Sequence, residues 1–288
     1  MPIVSLIAKP GGLDAALAEN LRNAWGGEAV DWLAPDEAAE FAVHAVPAHA
    51  HEIAQELRSG DVDVAITPNS NRRKRLLIDD MDSTMIDQEC IDELAEVAGI
   101  GGQVKDITAR AMNGELDFEA ALIERVSLLK GLKDTVIDKV FAERITLASG
   151  GPTLLNTMKA HGARAALVSG GFTQFTEKVA AKLGFDHHRA NTLIAAAGAL
   201  TGDVGRPILG RDAKIEALNE YTSDLGGSAA AIAVGDGAND LGMLSAAGLG
   251  IALHAKPSVA AAAPIRIDHG DLTALLYLQG YAASEFTL

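Results

Sequence analysis

A chain of 288 residues is long enough for one large α/β domain and a smaller module. Its composition, 48% hydrophobic and 22% charged, is that of a soluble globular protein, its single cysteine Cys90 excludes an internal disulfide and suits a reducing cytoplasm, and its net charge of −15 argues against nucleic acid as a partner. Met1–Lys9 reads as a strand and not a signal peptide, and the alanine-rich run from Val259 to Ala263 is far too short to span a bilayer, so no membrane partner is expected.

Residues 3 to about 68 alternate cleanly. Ile3–Ala8 has the pattern of a strand, Leu13–Trp25 the spacing of a helix, and Val30–Leu33 and Phe41–Val46 those of two strands with a turn at Pro35-Asp36. Ala50–Leu57 is helical and Val62–Thr67 is a further strand. The order βαββαβ predicts a ferredoxin-like domain over residues 1–70, with turn chemistry at Pro68-Asn69-Ser70-Asn71 marking its end. The basic cluster Arg72-Arg73-Lys74-Arg75 reads as a solvated linker.

Residues 71–288 carry a different pattern. Leu76–Ile78, Ala165–Val168 and Ala231–Val234 are short apolar runs, each ending in a polar or Gly-rich turn. That is the signature of a doubly wound parallel sheet with ligands at the carboxyl ends of its strands. The mostly helical stretch 88–147 exceeds what a crossover needs and predicts an inserted helical cap. Asn191–Val204, with turns at Gly198 and Gly202, has the pattern of a hairpin flap.

Four strings carry chemistry. In Leu76–Thr84 (LLIDDMDST), Asp80 and Asp82 close a buried strand, where carboxylates are costly without a metal or partners. An acidic turn capping the next helix is the alternative for this string alone. Val168-Ser169-Gly170-Gly171 offers a hydroxyl and free amides suited to phosphate. Lys214, near a helix start in Gly210-Arg211-Asp212-Ala213-Lys214, can neutralise phosphate. Val234–Asp240 (VGDGAND) sets Asp236, Asn239 and Asp240 on one glycine-softened turn that suits magnesium. An acidic protein that acts on an anion must create positive potential locally, through a metal and a few placed Lys or Arg side chains.

Taken in order, Asp-x-Asp-Ser-Thr, Ser-Gly-Gly, Lys and Gly-Asp-Gly-x-Asn-Asp resemble the haloacid dehalogenase superfamily over residues 75 to 268, and the long helical insert resembles that superfamily's phosphoserine phosphatases. The resemblance implies a hydrolase that releases serine from O-phosphoserine, the last step of serine biosynthesis, through a covalent aspartyl-phosphate. Asp80 would be the nucleophile and Asp82 the general acid/base. Mg²⁺ would be held by Asp80, the backbone carbonyl of Asp82 and Asp236. Ser169, the Gly170 amide and Lys214 would grip the phosphoryl group, Asn239 would complete the pocket, and Asp240 would orient a ligand or Lys214. In the cap, Glu89 would meet the substrate ammonium and Arg125 its carboxylate, so the expected partner is a phosphorylated amino acid. Asp79 departs from the family pattern, which has a small or apolar residue there; pairing with Arg72–Arg75 and a rise in neighbouring carboxyl pKa values are both open. A phosphotransferase of the same architecture and a non-catalytic amino-acid sensor are the competing readings. The N-terminal module resembles ACT domains in element order. An amino-acid effector at Pro10-Gly11-Gly12 and a homodimer or packing role both remain open for it.

Overall fold

The computed structural model describes residues 1–112 and 115–288. At the N-terminus the alternating apolar residues form β1 (Pro2–Ile7), α1 (Ala15–Ala24), β2 (Asp31–Ala34), β3 (Ala38–Ala42), α2 (Ala50–Ser59) and β4 (Asp63–Pro68). Asp14 caps α1 by accepting from the Ala16 amide at 2.8 Å. The four strands make an antiparallel sheet of order β2-β3-β1-β4. β3 begins three residues earlier than its apolar run suggests. Asp36, at φ 53°, closes a tight turn that pairs Ala34 with Ala38, and the chain has left the sheet by Val43.

Strand alternation gives this sheet two apolar faces. Val4, Leu6, Phe41 and Val64 pack under the two helices with Leu21 and Ala54. Ile7, Leu33, Ala38 and Ala65 instead join the core of the following domain.

That domain contains β5 (Leu76–Asp79), α3 (Cys90–Val97), α4 (Gly101–Met112), α5 (Phe118–Ser127), α6 (Val136–Arg144), α7 (Gly151–Ala160), β6 (Arg164–Phe172), α8 (Thr173–Leu183) and β7 (His187–Asn191). The hairpin β8 (Leu193–Ala196) and β9 (Ala199–Val204) follows, then α9 (Arg211–Thr222), β10 (Ala231–Gly235), α10 (Leu241–Ala246), β11 (Leu249–Leu253), α11 (Pro257–Ala262), β12 (Ile265–Ile267) and α12 (Ala274–Leu278). Six strands form a wholly parallel sheet of order β12-β11-β10-β5-β6-β7. The chain leaves β5 on one side for β6 and returns on the other as β10, so the strand order reverses at β5 and opens a crevice beyond its carboxyl end. Leu77 packs on one face of the sheet and Leu76 and Ile78 on the other.

Among the described residues the insertion is four helices, α3–α6, leaving and rejoining the sheet domain where Ile86 bridges Leu147. The flap hairpin turns at Ala197-Gly198, whereas Gly202 lies within β9. A Cβ on Gly202, at φ 85°, would come within 2.9 Å of Lys130 Cβ, so this glycine permits the hairpin's close approach to the cap.

The basic cluster 72–75 is a clasp and not a solvated linker. Arg72 pairs with Glu40 and reaches the Tyr277 and Leu278 carbonyls at 3.5 and 3.4 Å. Arg73 pairs with Glu285 at 2.8 Å and lies over the Tyr281 ring, and buried Lys74 donates to the Ala229 carbonyl at 3.0 Å. The second clasp is buried Asp63, which accepts from the amides of Asp268, His269 and Gly270 at 2.8–3.0 Å. Among the described residues no helix is long and apolar enough to cross a membrane.

Candidate active site

Asp80 follows the last residue of β5, where the strand gives way to a wide turn over Met81–Met85. Lys214, fully buried on α9, sets its Nζ 2.7 Å from Asp80 Oδ1 and 2.5 Å from Asp240 Oδ1. Burial works against the lysine's charge, but Asp240 and Asp80 outweigh it and hold its pKa above the usual value. Burial, and after it the Asp240 charge, pushes Asp80 well above the carboxylate range, with Lys214 opposing. Asp240 is fully engaged, since its Oδ2 also accepts from the Gly237 amide at 2.9 Å.

Asp82 sits in the same turn. Its Oδ1 accepts from the Cys90 amide at 2.8 Å and its Oδ2 from Ser169 Oγ at 3.1 Å. Burial, then the charge of Glu89, raises its pKa to about 6. A Cβ on Gly171 would lie 2.4 Å from Asp82 Oδ2, so only glycine at 171 lets the loop after β6 close on this carboxylate. Ser83, left-handed at φ 55°, donates its hydroxyl to Glu89 Oε1 at 2.7 Å. That bond compensates a backbone conformation that costs a non-glycine residue on the order of 1 kcal/mol.

The loop after β6 is held from behind. Asn191, buried at the end of β7, donates to the Gly170 carbonyl at 2.8 Å and to the Leu209 carbonyl at 3.2 Å. A Cβ on Gly170 would come 3.2 Å from the Phe118 ring and 3.6 Å from Asn239 Nδ2, so the glycine lets Phe118 of the cap pack close to this loop. Asp236 has Thr84 Oγ1 at 3.5 Å, and burial followed by the Asp240 charge raises its pKa to about 7.

Asp80, Asp82, Glu89, Arg125, Ser169, Gly170, Asp236 and Asn239 all line one cavity of about 620 Å³ between the sheet and the cap, with Lys214 behind Asp80. Arg125 is half-buried on α5. Its Nε donates to the Ala121 carbonyl at 3.3 Å, and among the described residues no carboxylate lies within 4.0 Å of it. The guanidinium fork is therefore free for a ligand carboxylate.

The donor set fits a hard divalent cation. Asp80, Asp236 and Asp240 each bring a carboxylate oxygen within 4.8 Å of the others. With Asp240 committed to Lys214 and Gly237, buried Asp80 shares Lys214 with it and half-buried Asp236 has no cation partner among the described residues, so a cation between Asp80 and Asp236 would relieve their like charge. The Asp82 carboxylate is occupied by Cys90 and Ser169, so its expected share in metal binding lies with its main-chain carbonyl.

Asp79 pairs with none of Arg72–Arg75. It is fully buried, neither carboxylate oxygen has a hydrogen-bond partner among the described residues, and burial followed by the Asp80 charge raises its pKa well above the ordinary range. Four contributors escape sequence reasoning: Asn191, Asp92, and the cations Arg211 and Lys256, which also line the cavity. Lys256 had a signal, because Ala255-Lys256-Pro257 opens a helix directly after an apolar run, at the ligand end of a parallel sheet.

The family described as haloacid dehalogenase-like hydrolase matches residues 77–245. A phosphoserine phosphatase of Streptomyces coelicolor is 43% identical over 256 residues, 87% of this chain. The chain spans 62% of that relative's length. A phosphoserine phosphatase of Streptococcus thermophilus is 45% identical over 200 residues, 69% of this chain and 93% of that protein. The crystal structure of a HAD family hydrolase from Salmonella enterica serovar Typhi superposes with a TM-score of 0.88 at 31% identity, covering 96% of this chain and 98% of that one. With the strand order reversing at β5 and the motif residues gathered beyond its carboxyl end, the chain belongs to the haloacid dehalogenase-like hydrolases.

Proposed function

We propose that the protein is a phosphoserine phosphatase, hydrolysing O-phospho-L-serine to L-serine and phosphate as the last step of serine biosynthesis in the cytoplasm. The observation that carries the substrate is the shared cavity: Glu89 and the unpaired Arg125 face the same space as Asp80 and Ser169. Opposite charges set apart from a phosphate cradle suit an amino-acid zwitterion and disfavour a plain alkyl phosphate. The named relatives support the same reading.

An Asp80 carboxylate oxygen attacks phosphorus, and the bond from phosphorus to the serine oxygen breaks. Asp82, near pKa 6, carries a proton more often at neutral pH than an ordinary aspartate, and gives it to the departing oxygen. The resulting carboxylate then takes a proton from water, whose oxygen attacks phosphorus. The bond between Asp80 and phosphorus breaks, releasing phosphate and restoring the enzyme. Ser169, the Gly170 amide, Lys214 and Asn239 hold the phosphoryl oxygens through both steps. Asp80, Asp236 and the Asp82 carbonyl would hold Mg²⁺, which would supply charge neutralisation for a reaction whose catalysed acceleration reaches up to ~10²¹.

For the N-terminal module we propose amino-acid effector binding at the Pro10–Gly12 turn. Lys9, Pro10 and Glu37 line a second cavity, of about 550 Å³, together with Ser149 and His254 of the catalytic domain. A homodimer through this module is the competing reading, and sedimentation with and without serine separates the two.

The deciding experiment is phosphate release from a panel of phosphorylated amino acids and sugars with Mg²⁺. Phosphoserine should be the preferred substrate by at least tenfold in kcat/KM, and equal rates across the panel would overturn the assignment.

A further inference from the structure

Five carboxylates line the cavity, Asp80, Asp82, Glu89, Asp92 and Asp236, against three cations, Arg125, Arg211 and Lys256. Behind the lining, Lys214 is shared between Asp80 and Asp240, so it offsets only part of the Asp80 charge. Until a cation occupies the Asp80–Asp236 site, a phosphate dianion approaching a chain of net charge −15 therefore meets more acidic than basic groups in the lining. Arg125 faces the fields of Asp92, Glu89 and Asp82, which leaves Arg211 and Lys256 as the lining cations without a close carboxylate partner.

Arg211 opens α9 and Lys256 precedes α11; both are exposed, and neither has a carboxylate within 4.0 Å among the described residues. The Arg211 side chain passes beside Gly242, where a Cβ would stand 2.6 Å from Ile215 Cδ1 and 3.2 Å from Arg211 Nε, so the glycine leaves room for both side chains. Lys256 is close enough to the Asp236 loop to counter part of the effect of burial on that carboxyl.

We propose that Arg211 and Lys256 form a cationic entrance that captures the phosphate dianion and passes it inward to the Ser169–Lys214 cradle. The inference builds on the phosphatase reading but concerns any phosphate monoester. Lysine and arginine left unpaired at the mouth of an acidic cavity provide the local attraction that the chain as a whole lacks. Such steering is worth about 10–10³ in association rate and is screened over a Debye length of about 10 Å at 0.1 M salt.

The test is kcat/KM for phosphoserine and p-nitrophenyl phosphate from about 0.01 M to about 1 M ionic strength, for Arg211→Gln, Lys256→Gln and the double variant. Each single change should lower kcat/KM roughly three- to tenfold at low salt on both substrates, with the gap closing at high salt. Lys256→Arg should restore the parent salt dependence. No loss at low salt, or a loss that persists undiminished at high salt, overturns the entrance. Calorimetric binding of inorganic phosphate to the same proteins separates this inference from the phosphoserine reading. If the parent ignores phosphoserine yet phosphate affinity falls in the variants at low salt only, the entrance stands and the substrate assignment falls. If phosphate affinity is unaffected at every salt concentration, the entrance falls.

Discussion

The backbone amide of Cys90 donates to Asp82 Oδ1 at 2.8 Å, so the first residue of the first cap helix holds the carboxylate proposed as acid and base. Cys90→Pro removes that donor together with the buried thiol, which also faces Asp82. Proline is tolerated at the first helical position, and Glu89, at ψ 112°, already has the extended conformation required before it. A hydrogen bond to a charged group is worth about 1.5–3 kcal/mol, so kcat should fall roughly ten- to a hundredfold. Cys90→Ala keeps the amide and should stay within about threefold of the parent. Equal losses in the two variants would assign the effect to the thiol.

Asp80→Asn should abolish turnover without loss of fold, because an amide is neither a nucleophile nor a good metal ligand. Lys214 keeps Asp240 as its partner and one buried like charge disappears, so the melting temperature should be equal or higher. Turnover within about tenfold of the parent, only ~1.4 kcal/mol of barrier, would refute the nucleophile assignment.

EDTA should abolish activity and Mg²⁺ restore it, while Ca²⁺ should inhibit. Calcium accepts more ligands at longer distances, so both oxygens of Asp80 can be drawn to it, leaving none to attack. Full turnover in metal-free buffer would contradict the Asp80–Asp236 pair as a metal site.

Arg125→Ala should harm phosphoserine turnover about ten- to a hundredfold more than p-nitrophenyl phosphate turnover, since only phosphoserine offers a carboxylate to the guanidinium. Glu89→Gln should act likewise through the ammonium. It should also lower the Asp82 pKa, moving the alkaline limb of the pH–rate profile to lower pH, because the Glu89 charge is part of what raises that carboxyl. Equal losses on both substrates would make the two residues structural.

Glu37 accepts from Tyr277 Oη at 3.0 Å across the two modules, and burial raises its pKa above 4.5. A carboxyl raised in the folded state binds more protons there than when unfolded. Its contribution is complete below the unfolded pKa of about 4.5 and is lost as pH rises through the folded value. Glu37→Gln keeps the acceptor without the charge. Melting temperatures should therefore be unchanged at acid pH and higher by about 1–2 °C above neutrality, for a group still partly solvated. A lower melting temperature at pH 8 would sink this account.

Legibility in the sequence followed chemical cost. Carboxylates at a buried strand end are expensive without a use, and a Ser-Gly-Gly turn, common by itself, gains meaning by falling in order between them and the Gly-Asp loop, so the motifs around Asp80, Ser169 and Asp236 stand out together. The parallel core was readable for the same reason, since β5 and β10 are buried on both faces and cannot alternate. The polar edge strand His187–Asn191 was not readable, nor was three-residue β12, because neither carries an apolar run. Arg72–Arg75 resembles any exposed basic stretch until Glu40, Tyr281 and Glu285 arrive from distant parts of the chain. Asn191 is informative only once β7 lies beside the loop it supports. Charge and polarity are local, whereas the partner that gives them meaning is not.

The face of the N-terminal sheet that carries Ile7, Ala38 and Ala65 lies against Ala274 and Tyr277 and shares one core with the catalytic strands. The first 70 residues are therefore not detachable cargo. Cutting the chain after Asn71 would bare that patch, strand the three amides now satisfied by Asp63, and leave Arg72 without Glu40. Heating should accordingly unfold the protein in one calorimetric transition. Any signal that begins at the Pro10–Gly12 turn would have to travel through a shared interior and not across a swinging joint.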